Sequence, residues 1–69
     1  MNVFVVEHNR AQQDRLVACV ESLQGSRVRR FAGAHEALAW CVLTPPALVL
    51  ANACLPDIGG LEFLRRLRG

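Results

Sequence analysis

Val3-Phe4-Val5-Val6 is a short unbroken apolar run, rich in β-branched side chains, and a polar cluster follows it at once. Strands covered on both faces, as in a parallel sheet, read this way. Asn9 then stands where a helix N-cap belongs. Leu16, Cys19, Val20 and Leu23 recur at i, i+3, i+4 and i+7, one stripe of an amphipathic helix that Gly25 is expected to close. Ser26 to Phe31 reads as a second strand, and its arginines suit a sheet edge, where charge discourages pairing with other chains. Beyond Gly33, residues Ala34, Ala37, Leu38 and Cys41 form a weaker helical stripe with Trp40 and Val42 beside it. Thr44-Pro45-Pro46 must end that helix, because proline lacks the amide donor and biases its predecessor away from helix.

Ala47-Leu48-Val49-Leu50-Ala51 is a third apolar run, expected to be a buried strand. Asn52 to Gly60 is a loop punctuated by Pro56 and by Gly59-Gly60, a pair expected to make a turn that needs positive φ. From Leu61 a third helix sets Phe63, Leu64 and Leu67 on one face, with Arg65, Arg66 and Arg68 largely on the other. The order βαβαβα calls for right-handed crossovers and a parallel three-stranded sheet.

The 69 residues make one small domain, with no second domain expected, and 52% hydrophobic against 20% charged residues excludes a disordered chain. No apolar run approaches the roughly 20 residues a membrane helix needs. The start, Met1 to Glu7, has neither the basic leader nor the long apolar segment of a signal peptide. A cytoplasmic protein without a membrane partner is expected. Eight arginines and no lysine against six acidic residues leave a net charge of +2, too little to imply nucleic acid. The arginines are sparsely accompanied by aromatics, so they read as a solvated face, and a small Arg-rich nucleic-acid binder is the weaker alternative. Cys19, Cys41 and Cys54 are odd in number and form no C-x-x-C pair. They read as free thiols, with Cys19 and Cys41 as packing residues, and not as a disulfide framework or zinc site. Trp40 reads as a packed helix residue, and His35 as an exposed one near a helix start.

The stretch from Pro46 to Arg68, with Asn52 at the end of an apolar strand, Pro56 four residues on, Gly60 and then a leucine-rich helix, resembles the response-regulator receiver domain of two-component signalling. Glu7-His8-Asn9 after the first strand resembles that family's acidic pair, and Ala32 to Leu38 resembles the entry to its second helix. The likeness runs the whole length of the chain as a co-linear set. It implies a flavodoxin-like receiver fold, here truncated to a βαβαβα three-stranded sheet at residues 1–69, the N-terminal part of such a domain. In the family, a phosphoacceptor aspartate stands where this chain has Asn52, and Mg²⁺ is held by carboxylates and by the carbonyl at the position of Cys54.

The departures bear directly on function. An amide cannot form the mixed anhydride a carboxylate forms, so phosphorylation at Asn52 is not expected. Of the pocket acids, Glu7 alone remains, and His8 offers a nitrogen better suited to transition metals than to magnesium. Glu7 and His8 also admit a plainer reading as solvated loop residues at a strand's end. The expectation is a pseudo-receiver without catalytic residues, bound metal or cofactor, a non-enzyme that signals by protein contact with an output domain or partner signalling protein. A phosphoaccepting, Mg²⁺-dependent phosphorelay switch is the alternative that Asn52 opposes. In the resembled fold a fourth strand lies beside the third, so Leu48, Val49 and Leu50 are expected to form an open apolar edge that makes the chain a homo-oligomer, most simply a dimer.

Overall fold

The first strand, β1 (Asn2–Val6), is the middle of the sheet, and four of its five residues are buried. The chain continues through α1 (Arg10–Glu21), β2 (Arg27–Phe31), α2 (Ala34–Leu43), β3 (Leu48–Ala51) and α3 (Gly60–Arg68). This computed structural model describes residues 1–52 and 55–68. The sheet is open, parallel and ordered β2-β1-β3, with Val3 opposite both Val28 and Leu48, and Val6 opposite Phe31 and Ala51. The βαβαβα reading and the edge position of the Arg-bearing β2 therefore hold. None of the described helices is long and apolar enough to cross a membrane.

Alternation along β1 divides the core between the two faces of the sheet. Phe4 and Val6 pack with Phe31, Ala34, Ala37, Leu55 and Phe63 on the side of α2 and α3. Val3 and Val5 pack with Val17 and Val20 of α1 on the other side. Phe4 and Phe31 meet edge to face with centroids 5.0 Å apart, an arrangement that aligns ring edge with ring face and adds to area burial.

Several expectations are corrected. The inward stripe of α1 is Gln13, Val17 and Val20, with Leu16 half-buried, whereas Cys19 is exposed and Leu23 is 50% exposed. Cys19 is thus not a packing residue, because the helix is rotated so that its stripe begins at Gln13. The helix ends at Glu21, and Gly25, with φ 76°, makes the later turn into β2. Gly59-Gly60 makes no positive-φ turn: Gly60 already belongs to α3, and Gly25 is the positive-φ glycine among the described residues. β3 is not a buried strand. Leu48 and Ala51 are exposed and Val49 and Leu50 half-buried, because β3 is an edge. Leu64 is 48% exposed, so the buried face of α3 rests on Phe63, with Leu67 packed beside it.

Candidate functional site

The C-terminal ends of β1 and β3 lie side by side in a parallel sheet, so the residues that follow them meet. Asn9 caps α1, its Oδ1 accepting from the Gln12 N–H at 3.1 Å, which fixes a short turn between β1 and the helix. Glu7 begins that turn, and its N–H donates to the Phe31 carbonyl at 2.9 Å, carrying the ladder one step beyond β1. Its carboxylate is drawn inside and the residue is only 3% exposed. Asn52 follows β3 directly, and its N–H donates to the Val6 carbonyl at 3.2 Å.

These two anchored backbones bring the side chains together. The Asn52 amide Nδ2 donates to Glu7 Oε1 at 2.8 Å, and the Asn9 N–H donates to Glu7 Oε2 at 3.3 Å. The Asn52 hydrogen bond holds the Glu7 carboxyl below the ordinary glutamate range; burial pushes the other way, and the N–H groups of Asn9 and His8 and the His8 ring add to the lowering. Glu7 is therefore an anion with both oxygens engaged by N–H donors. His8 is exposed, next to the buried Glu7. Cys54 lies outside the described residues.

Gln13 was absent from the sequence-based site. It is buried, and its Nε2 donates at 3.1 Å to the carbonyls of both Glu7 and Phe31, tying the ends of β1 and β2 to α1. It stands at i of the i, i+4, i+7 stripe with Val17 and Val20, a placement that only the rotation of the helix reveals. Asp57 was missed as well. Gly33, at the N-cap of α2, has no side chain to cap with, and Asp57 supplies the carboxylate from 23 residues beyond Ala34. Its oxygens accept from the N–H groups of Ala34 at 2.9 Å, His35 at 2.8 Å and Ile58 at 3.0 Å. The His35 and Ala34 amides lower the Asp57 carboxyl from 3.8 to about 2. A carboxylate at a helix N-terminus gains both from these donors and from the helix dipole.

The metal-binding potential of the site follows from its donors. A divalent hard cation wants several oxygens, with carboxylates foremost. Among the described residues Glu7 is the one carboxylate at these strand ends, and an amide nitrogen of Asn52 faces it at 2.8 Å. That set does not fit magnesium. Among the described residues no group of three or more His, Cys, Asp or Glu side chains is placed to hold an ion.

Several arginines engage surface partners: Arg30 pairs with Asp14 at 2.5 Å, Arg65 and Arg66 pair with Glu62 at 2.9 and 3.2 Å, and the Arg29 guanidinium lies 3.9 Å over the Trp40 ring. The chain matches no family model and no curated protein.

Proposed function

We propose that this chain is a degenerate receiver-like signalling module that acts through protein–protein contact and independently of phosphorylation. The strand order β2-β1-β3 is compatible with the first three strands of the flavodoxin-like order 2-1-3-4-5. The observation that carries the reading is the Asn52–Glu7 hydrogen bond at the ends of β3 and β1. A carboxylate at Asn52 could attack a phosphoryl group and form a mixed anhydride; an amide does not, and its nitrogen instead satisfies the buried anion by donating to it. On this reading the pocket is a fixed polar contact that orders the strand ends. The module performs no catalysis, needs no cofactor, resides in the cytoplasm and works on an output domain or a partner signalling protein.

The test is to incubate the protein with acetyl phosphate and Mg²⁺ and record its intact mass. The mass is expected to stay unchanged. A stoichiometric gain of one phosphoryl group that disappears in Asn52→Ala overturns the reading. A saturable calorimetric response to Mg²⁺ that Glu7→Gln abolishes would equally contradict it.

A further inference from the structure

Arg27 and Arg29 stand apart from the paired arginines of this chain. In the register of the sheet, Arg27 lies opposite Asn2 and Arg29 opposite Phe4. Phe4 packs on the side of α2 and α3, and alternation along both strands sets Asn2, Arg27 and Arg29 on that same side. Arg30, one residue on, turns to the side of α1 and pairs there with Asp14. Trp40 and Thr44, from the last turn and C-cap of α2, close a hollow of about 210 Å³ against Asn2, Arg27, Val28 and Arg29.

The positive charge in this hollow is not compensated. Both arginines are exposed, and among the described residues neither pairs with a carboxylate, whereas Arg30, Arg65 and Arg66 each do. The Arg29 guanidinium lies 3.9 Å over the Trp40 ring instead. A ring face attracts the cation without neutralising it, and it holds the planar fork in place with its N–H edges turned to other acceptors. The C-terminal end of α2 has no basic residue in its last turn. Its dipole offers only about half a negative charge to the two cations.

Size and charge together select the anion. The hollow is smaller than the roughly 300–1,000 Å³ of clefts for drug-sized ligands, so a compact headgroup suits it. A carboxylate matches one guanidinium. A phosphate monoester, with a charge of about −1.5 to −2 at pH 7 and three acceptor oxygens, matches both. A nucleic-acid strand is the poorer fit, because it wants open aromatic faces for its bases. Here the sole tryptophan gives a face to Arg29, and Phe4 and Phe31 are buried.

We propose that the hollow between β2 and the end of α2 is a binding site for a phosphate monoester, in which Arg27 and Arg29 hold the phosphoryl oxygens and Trp40 positions Arg29. Binding is non-covalent. The site draws on β1, β2 and α2 and shares no residue with the Asn52–Glu7 pair, so its failure would leave the pseudo-receiver reading standing, and the reverse.

Calorimetric titration of the 69-residue chain tests it. The probes are inorganic phosphate, a short and otherwise uncharged peptide with one phosphoserine, the same peptide with glutamate at that place, and a single-stranded oligonucleotide without a terminal phosphate. Trp40 is the only tryptophan, so its fluorescence reports whether a probe sits in the hollow. The phosphopeptide is expected to bind saturably with a change in Trp40 emission, and the glutamate peptide at least about tenfold more weakly. Inorganic phosphate of equal affinity would assign the site to small phosphate esters, and a clear advantage for the phosphopeptide would assign it to a phosphorylated partner; either outcome supports the proposal. Arg27→Gln and Arg29→Gln should each weaken binding by about tenfold or more. Arg68→Gln, which removes the same charge at an exposed position of α3, should not. Circular dichroism confirms that each variant is folded, and the shift of the Trp40 indole N–H signal on titration of the unaltered protein decides should one unfold. No saturable binding of either phosphate-bearing probe, equal affinity for the glutamate peptide, an equal loss in Arg68→Gln, an unmoved Trp40 signal or tighter binding of the oligonucleotide overturns the proposal.

Discussion

Asn52 and Glu7 are 45 residues apart in the chain and 2.8 Å apart in space. The exchange of one amide for a carboxylate there should be felt by the whole domain. Asn52→Asp would set two anions at hydrogen-bond distance around a glutamate that is 3% exposed, and like charges so placed resist joint ionisation. The variant should lose about 1–3 kcal/mol at neutral pH. The loss should shrink as the pH falls into the carboxylate range, where one proton can bridge the pair. Mg²⁺ should recover part of it, since two carboxylates begin to suit a hard cation. Urea unfolding followed by the fluorescence of Trp40, with and without Mg²⁺, measures both; full stability at neutral pH in the absence of metal would contradict the argument. In the unaltered protein the sign is opposite. The folded Glu7 carboxyl lies below its unfolded value, so its contribution is present above the ordinary glutamate range and lost as the pH falls through the folded value. The resemblance to a receiver pocket singled out both Glu7 and Asn52, and the structure brings their side chains together. Gln13 was not legible, because a glutamine on a helix reads as solvent-facing until the rotation of that helix is known.

At the scale of elements, α2 is held by a cap that no local pattern announces. Gly33 supplies the N-cap backbone and Asp57 the carboxylate, and a Cβ added to Gly33 would lie 3.0 Å from Asp57 Oδ2. The backbone of Gly33, φ −140° and ψ 165°, is one alanine adopts freely. Gly33→Ala should therefore act in two opposed ways. It restricts the unfolded chain, worth about 0.4–1 kcal/mol in favour of folding, and it crowds the capping carboxylate. In the unaltered background the second effect should cancel or exceed the first. In Asp57→Ala, which is itself destabilised by loss of the cap, the crowding is gone and Gly33→Ala should stabilise by that amount. A double-mutant cycle in urea decides, and strict additivity would refute the coupling. The cap also sets a pH window. Asp57 falls from 3.8 to about 2 on folding, so its contribution is complete above 3.8 and is lost as the pH drops toward 2. Asp57→Asn should flatten the acid limb of the stability profile in that window. Two boundaries were readable, since Asn9 opens α1 and Thr44-Pro45-Pro46 closes α2, whereas α1 ends at Glu21, short of Gly25. The face of α1 was misread because Leu16, Cys19 and Leu23 satisfy helical spacing as well as Val17 and Val20 do, and only packing against Val3 and Val5 chooses between the stripes.

For the molecule as a whole, alternating strands and helices were enough to specify a parallel open sheet, since crossover connections leave few other topologies. They were not enough to specify burial in β3, because an apolar run reads the same at a covered position and at an edge. What the apolar residues of a 69-residue chain accomplish is unequal. Phe63 is 1% exposed and packs with Phe4, Val6, Phe31, Ala34, Ala37 and Leu55. It is the buried residue of α3, so it carries the attachment of that helix to the sheet. Removing a buried phenylalanine ring costs about 3–5 kcal/mol, through lost transfer energy and the cavity left behind. Domains this small rarely have more than about 3–5 kcal/mol in total. Phe63→Ala should thus leave the chain largely unfolded at room temperature. Val42→Ala, at a position 82% exposed on α2, removes almost no burial and exchanges a β-branched residue for the best helix former. It should change stability by no more than about 0.5 kcal/mol. The comparison belongs at one fixed protein concentration, because association that favours the folded state would otherwise shift the midpoint. Far-UV circular dichroism against urea supplies the two midpoints. A cooperative Phe63→Ala transition within about 1 kcal/mol of the unaltered protein would show that α3 is held by something other than this ring.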